Sequence, residues 1–286
     1  MTGELPLPPT AAGAEGLAAL VRDPAGALIG LDYDGTLSPI VADPAAARAH
    51  PAAPAVLTRL AGLAGTLAVI TGRPAAEAIG LGGLAGVPGL IVLGHYGWER
   101  WQDGALVSPP SPPGVAQARE LLPGVLAAAG APAGIRTEDK GHALAVHTRQ
   151  APDPQQALAR LREPVTALAA RTGLTVEPGR LVLELRPVGT DKGSALTGLV
   201  SERKSSSVMF AGDDLGDLSA FGAVRALRAS GIPGITVCSG SAEVTELAAA
   251  ADLVVDGPAG VMDLLADLAA AMAAGDRSRG KPRDLS

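Results

Sequence analysis

The sequence is poor in aromatic residues, at 2%, holds one cysteine, Cys238, and has four histidines, at positions 50, 95, 142 and 147. A single cysteine rules out a disulfide framework, and scattered histidines cannot complete a Cys/His zinc site. A reducing compartment is expected. Positive charge is also short, with Lys+Arg 23 against Asp+Glu 29 and a net charge of −6. This disfavours a nucleic-acid reader, whose affinity comes largely from neutralising phosphates. No uninterrupted apolar run approaches the roughly 18 residues of a membrane span. The opening MTGELPLPPTAAGAEG carries Glu4 and no basic residue before Arg22, unlike a signal peptide. The expectation is a cytoplasmic protein with neither nucleic acid nor membrane as partner.

What is present argues for a folded chain. Gly 37 and Pro 24 bring the composition close to that of disordered chains, but 47% of residues are apolar. A chain of 286 residues can bury about three quarters of its unfolded surface, enough for one large core or two modest ones. The charged, Pro/Gly-punctuated end GDRSRGKPRDLS (275–286) reads as a mobile tail.

Short apolar runs ending in polar or glycine residues recur at 27–35, 66–73, 89–97, 207–214, 234–240 and 251–257. Such runs suit strands buried on both faces of a parallel sheet. Ala/Leu-rich stretches at 54–65, 194–204 and 215–230 read as crossover helices. The alternation predicts an α/β fold with a doubly wound, Rossmann-like parallel sheet. Near Asp103 the pattern changes, and SPPSPPG (108–114) follows as a hinge or linker. Helix-like segments at 115–129 and 153–171 each precede a pair of strand-like segments, an αββαββ order. We therefore expect a discontinuous core domain, 1–103 and 188–286, interrupted by a smaller inserted α/β cap domain at 104–187.

Asp32 and Asp34 stand at the carboxyl end of the first predicted strand, in LDYDGT, where ligands bind in open α/β sheets. Asp213, Asp214 and Asp217 repeat the arrangement in FAGDDLGDL. Acids crowded at neighbouring strand ends repel one another unless a cation sits among them, and all-oxygen ligands point to Mg2+. Lys192, in TDKGSAL, places a cation in the first turn of a helix, which favours a bound anion. Thr71 in VITGRP ends another strand, and Pro74 opens a helix, so the Thr71 hydroxyl and nearby N–H groups can cradle a phosphate. Arg73 beside it has two readings, a contact to substrate phosphate or a brace for the loop. His50 and His142 read as solvent-facing, and His95 receives no role.

The motifs DYDGT, TGR, DKG and GDDLGD, in this order, resemble the haloacid dehalogenase-like hydrolase superfamily. The resemblance implies Asp32 as nucleophile and Asp34 as acid/base. It also implies Thr71 and Lys192 on phosphate oxygens, and Mg2+ held by Asp32, the Asp34 carbonyl and Asp213. Asp214 and Asp217 then stand as alternatives for the remaining ligand or for support behind it. For Asp34 to donate a proton at neutral pH its pKa in the occupied site must lie above the usual value of about 3.9, for which burial beneath the inserted domain, near other acids, is the expected cause.

Longer stretches, LDYDGTLSPIVADPAAA, VITGRP, GHYGWER, EDKGHALAVHTR and LELRPVGTDKGSAL, resemble the trehalose-6-phosphate phosphatase family over roughly residues 28 to 270. That resemblance implies hydrolysis of trehalose 6-phosphate to trehalose and phosphate, the last step of trehalose biosynthesis. It implies that Glu138, Lys140, His147 and Glu184 of the cap meet sugar hydroxyls. The sequence shows no second, synthase-like domain, so any coupling to a trehalose-6-phosphate synthase is expected through a separate protein. Two alternatives stand beside it: an enzyme for another sugar phosphate, such as sucrose phosphate, mannosyl phosphoglycerate or a hexose phosphate, and a catalytically silent sugar-phosphate-binding domain.

Overall fold

A computed structural model describes residues 5–41, 43–179, 181–240 and 245–279. The chain divides into two compact units, one formed by Met1–Val107 with Asp191–Ser286 and the other by Ser108–Thr190.

The first unit runs α1 (Ala11–Arg22), β1 (Ala27–Leu31), α2 (Ala53–Ala61), β2 (Thr66–Ile70), α3 (Ala75–Gly82), β3 (Ile91–Gly94), β4 (Glu99–Gln102) and β5 (Ala105–Val107). The second unit holds α4 (Pro113–Ala128), β6 (Arg136–Asp139), β7 (Leu144–His147), α5 (Pro154–Arg171), β8 (Leu174–Gly179) and β9 (Val182–Pro187). The chain then returns to the first unit through α6 (Lys192–Arg203), β10 (Ser207–Gly212), α7 (Leu218–Ala229), β11 (Gly234–Gly240), α8 (Thr245–Ala250), β12 (Leu253–Asp256) and α9 (Gly257–Arg279).

Among the described residues the first unit's sheet has the order β12-β11-β10-β1-β2-β3-β4-β5, parallel from β12 to β3 and antiparallel across β3, β4 and β5. The β4–β5 hairpin extends the sheet beyond Asp103, where the sequence pattern led us to expect the chain to leave this unit. Its strands are short, β4 (ERWQ) mixing charge with Trp101 and β5 (ALV) having only three residues, so no long apolar run marks them.

Successive residues of a strand point to opposite faces, and each buried strand serves both. In β1, Ile29 and Leu31 pack with Leu17, Leu20, Leu57 and Leu60 of α1 and α2. Leu28 faces the other way, toward Leu196 and Leu199 of α6 and Phe221 of α7. There Phe210 and Phe221 meet edge to face, centroids 6.4 Å apart at 78°. Such a pair contributes about 0.5–1.5 kcal/mol beyond its buried area. By length and composition α9, over Gly257–Gly275, is apolar enough to cross a bilayer. It puts Val261, Leu264, Leu265, Leu268 and Met272 into the core. The helix continues to Arg279, so the first part of the expected tail is helical, and the rest lies outside the described residues.

Strand order determines where the site can form. The chain leaves β1 toward β2 and β3 on one side and later fills β10, β11 and β12 on the other. The switch point therefore lies at β1, and the segments leaving β1, β2 and β10 open into one crevice. Asp32, Thr71 and Asp213 are the first residues past those three strands.

In the second unit the antiparallel sheet has the order β6-β7-β9-β8. Val115, Leu122, Leu161, Val165 and Leu168 of α4 and α5 cover one face, packing on Leu144, Val146, Leu183 and Leu185. By alternation the opposite face carries Glu138, His147, Glu184, Arg186 and Glu177.

Candidate active site

Asp32 is fixed at the end of β1 by its N–H, which donates to the Ala211 carbonyl at 2.9 Å. Its carboxylate is buried, with the Lys192 Nζ 2.8 Å from Oδ1. Lys192 opens α6, capped by Asp191, whose carboxylate accepts the Ser194 N–H at 2.8 Å. The same ammonium donates to Asp217 Oδ1 at 2.7 Å. Carboxylate oxygens of Asp32, Asp213 and Asp217 all lie within 4.8 Å of one another.

Three buried carboxyl groups face one buried ammonium, and the imbalance registers in the acidity of Asp32 and Asp213. Burial pushes Asp32 up to about 8, with Lys192 opposing the rise and Asp217 reinforcing it. Burial, then the Asp32 and Asp217 charges, push Asp213 up to about 9. Burial works against the charge on Lys192, but Asp217 and Asp32 more than offset it and raise its pKa well above the ordinary value. The cluster is short of positive charge, and its oxygen-only donor set fits a hard divalent cation.

Asp214 and Asp217 now separate. Asp217 is fully buried, and its second oxygen accepts the N–H groups of Asp213 and Asp214 at 3.0 and 3.1 Å. With both oxygens engaged, Asp217 braces Lys192 and the Asp213 loop. Asp214 stands outside the acidic cluster.

Gly35 accounts for the tightness of the DGT turn. Its φ is +69°, and a Cβ there would lie 1.9 Å from Asp213 Oδ2. Its carbonyl accepts the buried Ser239 hydroxyl at 2.6 Å. Ser239 is the last residue but one of β11, and its hydroxyl near a strand end was the available signal for a contact that sequence reading missed. We expect Gly35→Ala to displace Asp213 and destabilise this unit by about 1–3 kcal/mol, since the left-handed backbone and the missing space both penalise a side chain. Thermal unfolding checks this, and a wild-type melting temperature would refute it.

Asp34 is not part of the buried cluster. Its side chain is 34% exposed and accepts both arms of a fork from Arg73, Nε to Oδ2 at 2.6 Å and Nη2 to Oδ1 at 2.7 Å. Its side chain turns toward the TGR loop. Arg73 also pairs with Glu77, a turn into α3. Thr71 is buried, with its hydroxyl accepting the Arg73 N–H at 3.2 Å.

The loop holding Thr71 and Arg73 is braced by GHYGWE, in which sequence reading assigned His95 no role. The N–H groups of His95 and Tyr96 donate to the carbonyls of Arg73 and Thr71 at 3.0 and 2.9 Å. The Glu99 carboxylate accepts the Ala75 N–H at 2.9 Å, at the start of α3, and its other oxygen lies 3.9 Å from His95 Nε2. His95 and Tyr96 both adopt positive φ, which is the backbone strain such a tight brace requires. His50 accepts the Ala52 N–H, and His142 pairs with Ser108 and Ser111.

In the second unit the expected sugar-binding residues pair with each other. Lys140 Nζ lies 2.8 Å from Glu184, and His147 Nε2 lies 2.9 Å from Glu138. Glu184 and its neighbour Arg186 are buried, and Arg186 pairs with Glu177 at 2.6 Å. With Glu184 and Arg186 both buried, this part of β9 is not a solvated strand face.

With this geometry in view, the comparisons with known proteins are specific. Residues 30–254 match the family model described as trehalose-phosphatase. A trehalose-phosphate phosphatase of Mycobacterium avium (strain 104) is 37% identical over 235 residues, covering 77% of this chain and 56% of its own length. The chain thus spans about half the length of that curated relative. The crystal structure of Aspergillus fumigatus trehalose-6-phosphate phosphatase (crystal form 3) aligns with TM-score 0.68 and 26% identity, over 93% of this chain and 99% of the other. The C-terminal domain of Candida albicans trehalose-6-phosphate phosphatase aligns with TM-score 0.72 over 94% of this chain and 99% of the other, and at 21% identity it shows the fold alone. The match runs from β1, which delivers Asp32, past Asp213 to β12, so sequence and architecture agree: the chain belongs to the trehalose-phosphatase family.

Proposed function

We propose that this chain is a Mg2+-dependent phosphatase that hydrolyses trehalose 6-phosphate to trehalose and phosphate. The observation that carries the reading is the buried juxtaposition of Asp32, Lys192 and Asp213 at the switch point of the sheet, a nucleophile and an anion-binding cation within one family's motifs. Cytoplasmic location and functional coupling to a separate trehalose-6-phosphate synthase complete the reading.

In this mechanism an Asp32 oxygen attacks phosphorus, and the bond from phosphorus to the sugar oxygen breaks, leaving a phosphoryl group on Asp32. Asp34 gives its proton to the departing sugar oxygen. In the second step Asp34 takes a proton from water, whose oxygen displaces Asp32 from phosphorus. Lys192 and the Thr71 hydroxyl hold the non-bridging oxygens, and Asp217 keeps Lys192 in place. Asp32, the Asp34 carbonyl and Asp213 would hold Mg2+, which when bound supplies the positive charge that phosphoryl transfer requires. Glu138, Lys140, His147 and Glu184 bind the sugar hydroxyls.

A substrate panel with Mg2+ tests the reading, and trehalose 6-phosphate should be preferred over glucose 6-phosphate and sucrose 6-phosphate. All three offer a primary phosphate ester, so preference reports the second ring. Lys140→Ala and Glu184→Ala should each lower the ratio of trehalose 6-phosphate to p-nitrophenyl phosphate turnover at least about tenfold, roughly 1.4 kcal/mol of transition-state stabilisation. Equal losses on both substrates would assign these residues to folding or to the phosphate site. Preference for glucose 6-phosphate or sucrose 6-phosphate would overturn the substrate assignment.

A further inference from the structure

We propose that Arg73 is a positioning residue for the acid/base Asp34 and does not bind the substrate phosphate, an inference that rests on the phosphatase reading above. All three guanidinium nitrogens are committed to carboxylates: Nε and Nη2 to Asp34, and Nη1 to Glu77. Paired charge-assisted bonds of this kind are roughly twice as strong as neutral ones and fix the plane of both partners. The Arg73 side chain is only 10% exposed. Its guanidinium carbon lies 5.5 Å from the centroid of the Tyr33 ring, and that ring is buried and held by its hydroxyl, which donates to the Ala47 carbonyl at 2.9 Å. The Arg73 backbone is fixed as well, with its N–H bonded to Thr71 Oγ1 and its carbonyl to the His95 N–H.

Asp34 needs such an anchor. A carboxylate one third exposed exchanges among rotamers unless a partner selects one, and an acid must stay within hydrogen-bond reach of the leaving oxygen. Arg73 supplies that partner from a loop 39 residues away in sequence. Glu77 restrains the guanidinium from behind, so Arg73 keeps its place through the cycle and pairs with the ionised Asp34 that is left once the proton has gone to the sugar oxygen. With three of its five N–H donors on carboxylates and its side chain 10% exposed, the guanidinium is committed to Asp34 and Glu77, and Lys192 remains the cation for the phosphate.

Leaving-group dependence distinguishes the two roles. A sugar alkoxide leaves only when protonated, whereas p-nitrophenolate leaves with little help from an acid. Asp34→Asn sets the signature expected when acid catalysis is lost, a sugar 6-phosphate suffering far more than p-nitrophenyl phosphate. Arg73→Ala and the charge-conserving Arg73→Lys should reproduce it, lowering the sugar-to-aryl kcat ratio at least about tenfold while the inhibition constant of inorganic phosphate changes less than about threefold. Added guanidinium at millimolar concentration should partly restore the ratio in Arg73→Ala, which a merely structural role would not allow. If Asp34→Asn shows the signature and neither Arg73 variant does, the proposal is wrong and the phosphatase reading stands. Equal losses on both esters with at least about tenfold weaker inhibition by phosphate would place Arg73 on the substrate. If Asp34→Asn itself shows no leaving-group bias, the acid/base assignment fails and the proposal fails with it.

Discussion

Asp32→Asn should reduce phosphatase turnover to background, a loss of at least about 10³-fold or roughly 4 kcal/mol, while leaving the protein folded. The amide keeps the shape of the carboxyl group and loses its nucleophilic charge. Lys192 keeps Asp217 as a partner at 2.7 Å, so the substitution does not strand a buried ammonium. The Asp32 N–H to the Ala211 carbonyl is a backbone bond and is indifferent to the change. Removing a charge that burial disfavours should leave the metal-free melting temperature equal or higher. Rapid quench with labelled substrate should find no phosphoryl group on the protein. A variant retaining a tenth of the wild-type rate, with contamination excluded, would show that another group attacks phosphorus.

Much of this site could be read in the sequence for a physical reason. Strands buried on both faces must be apolar throughout, so the chain announces its switch-point strands as runs such as ALIGL and SVMFAG, and the first polar residue after each run is the one aimed into the crevice. Asp32, Thr71 and Asp213 follow from that rule. Lys192 follows from its place in the first turn of α6. Side-chain partnerships between distant loops carry no such pattern. The Arg73 fork to Asp34 spans 39 positions and the Ser239 bond to Gly35 spans 204. The double engagement of Asp217 was equally hidden, because spacing alone cannot tell a carboxylate with open oxygens from one filled by two N–H groups and an ammonium. The β4–β5 hairpin escaped because it is an edge extension, where strands are short and need no continuous apolar run.

Removing divalent metal should silence the enzyme reversibly, and it should also invert how stability responds to pH. Asp32 and Asp213 are raised by burial to about 8 and about 9, whereas unfolded carboxyls titrate near 4. For groups raised in this way the contribution to stability is complete below the unfolded pKa and is lost as pH rises through the folded values. Metal-free protein should therefore melt at falling temperatures from about pH 5 to about pH 9. Lys192, also raised, contributes with the same sign, but its loss begins above the ordinary lysine range and leaves that window unaffected. A bound divalent cation requires the ionised carboxylates and supplies the charge they lack, so its stabilisation should grow with pH over the same interval. At about a hundred times its dissociation constant a ligand adds about 2.7 kcal/mol, which for a unit of this size is about 5–10 °C in Tm. Thermal unfolding at pH 5.5 and 8.5 with EDTA or Mg2+ measures the effect independently of turnover. Activity lost on chelation should return with Mg2+ and not with Ca2+, which prefers looser and higher coordination. Full activity after exhaustive EDTA treatment and dialysis, or a Mg2+ stabilisation equal at both pH values, would mean that Asp32 and Asp213 are not the groups that hold the metal.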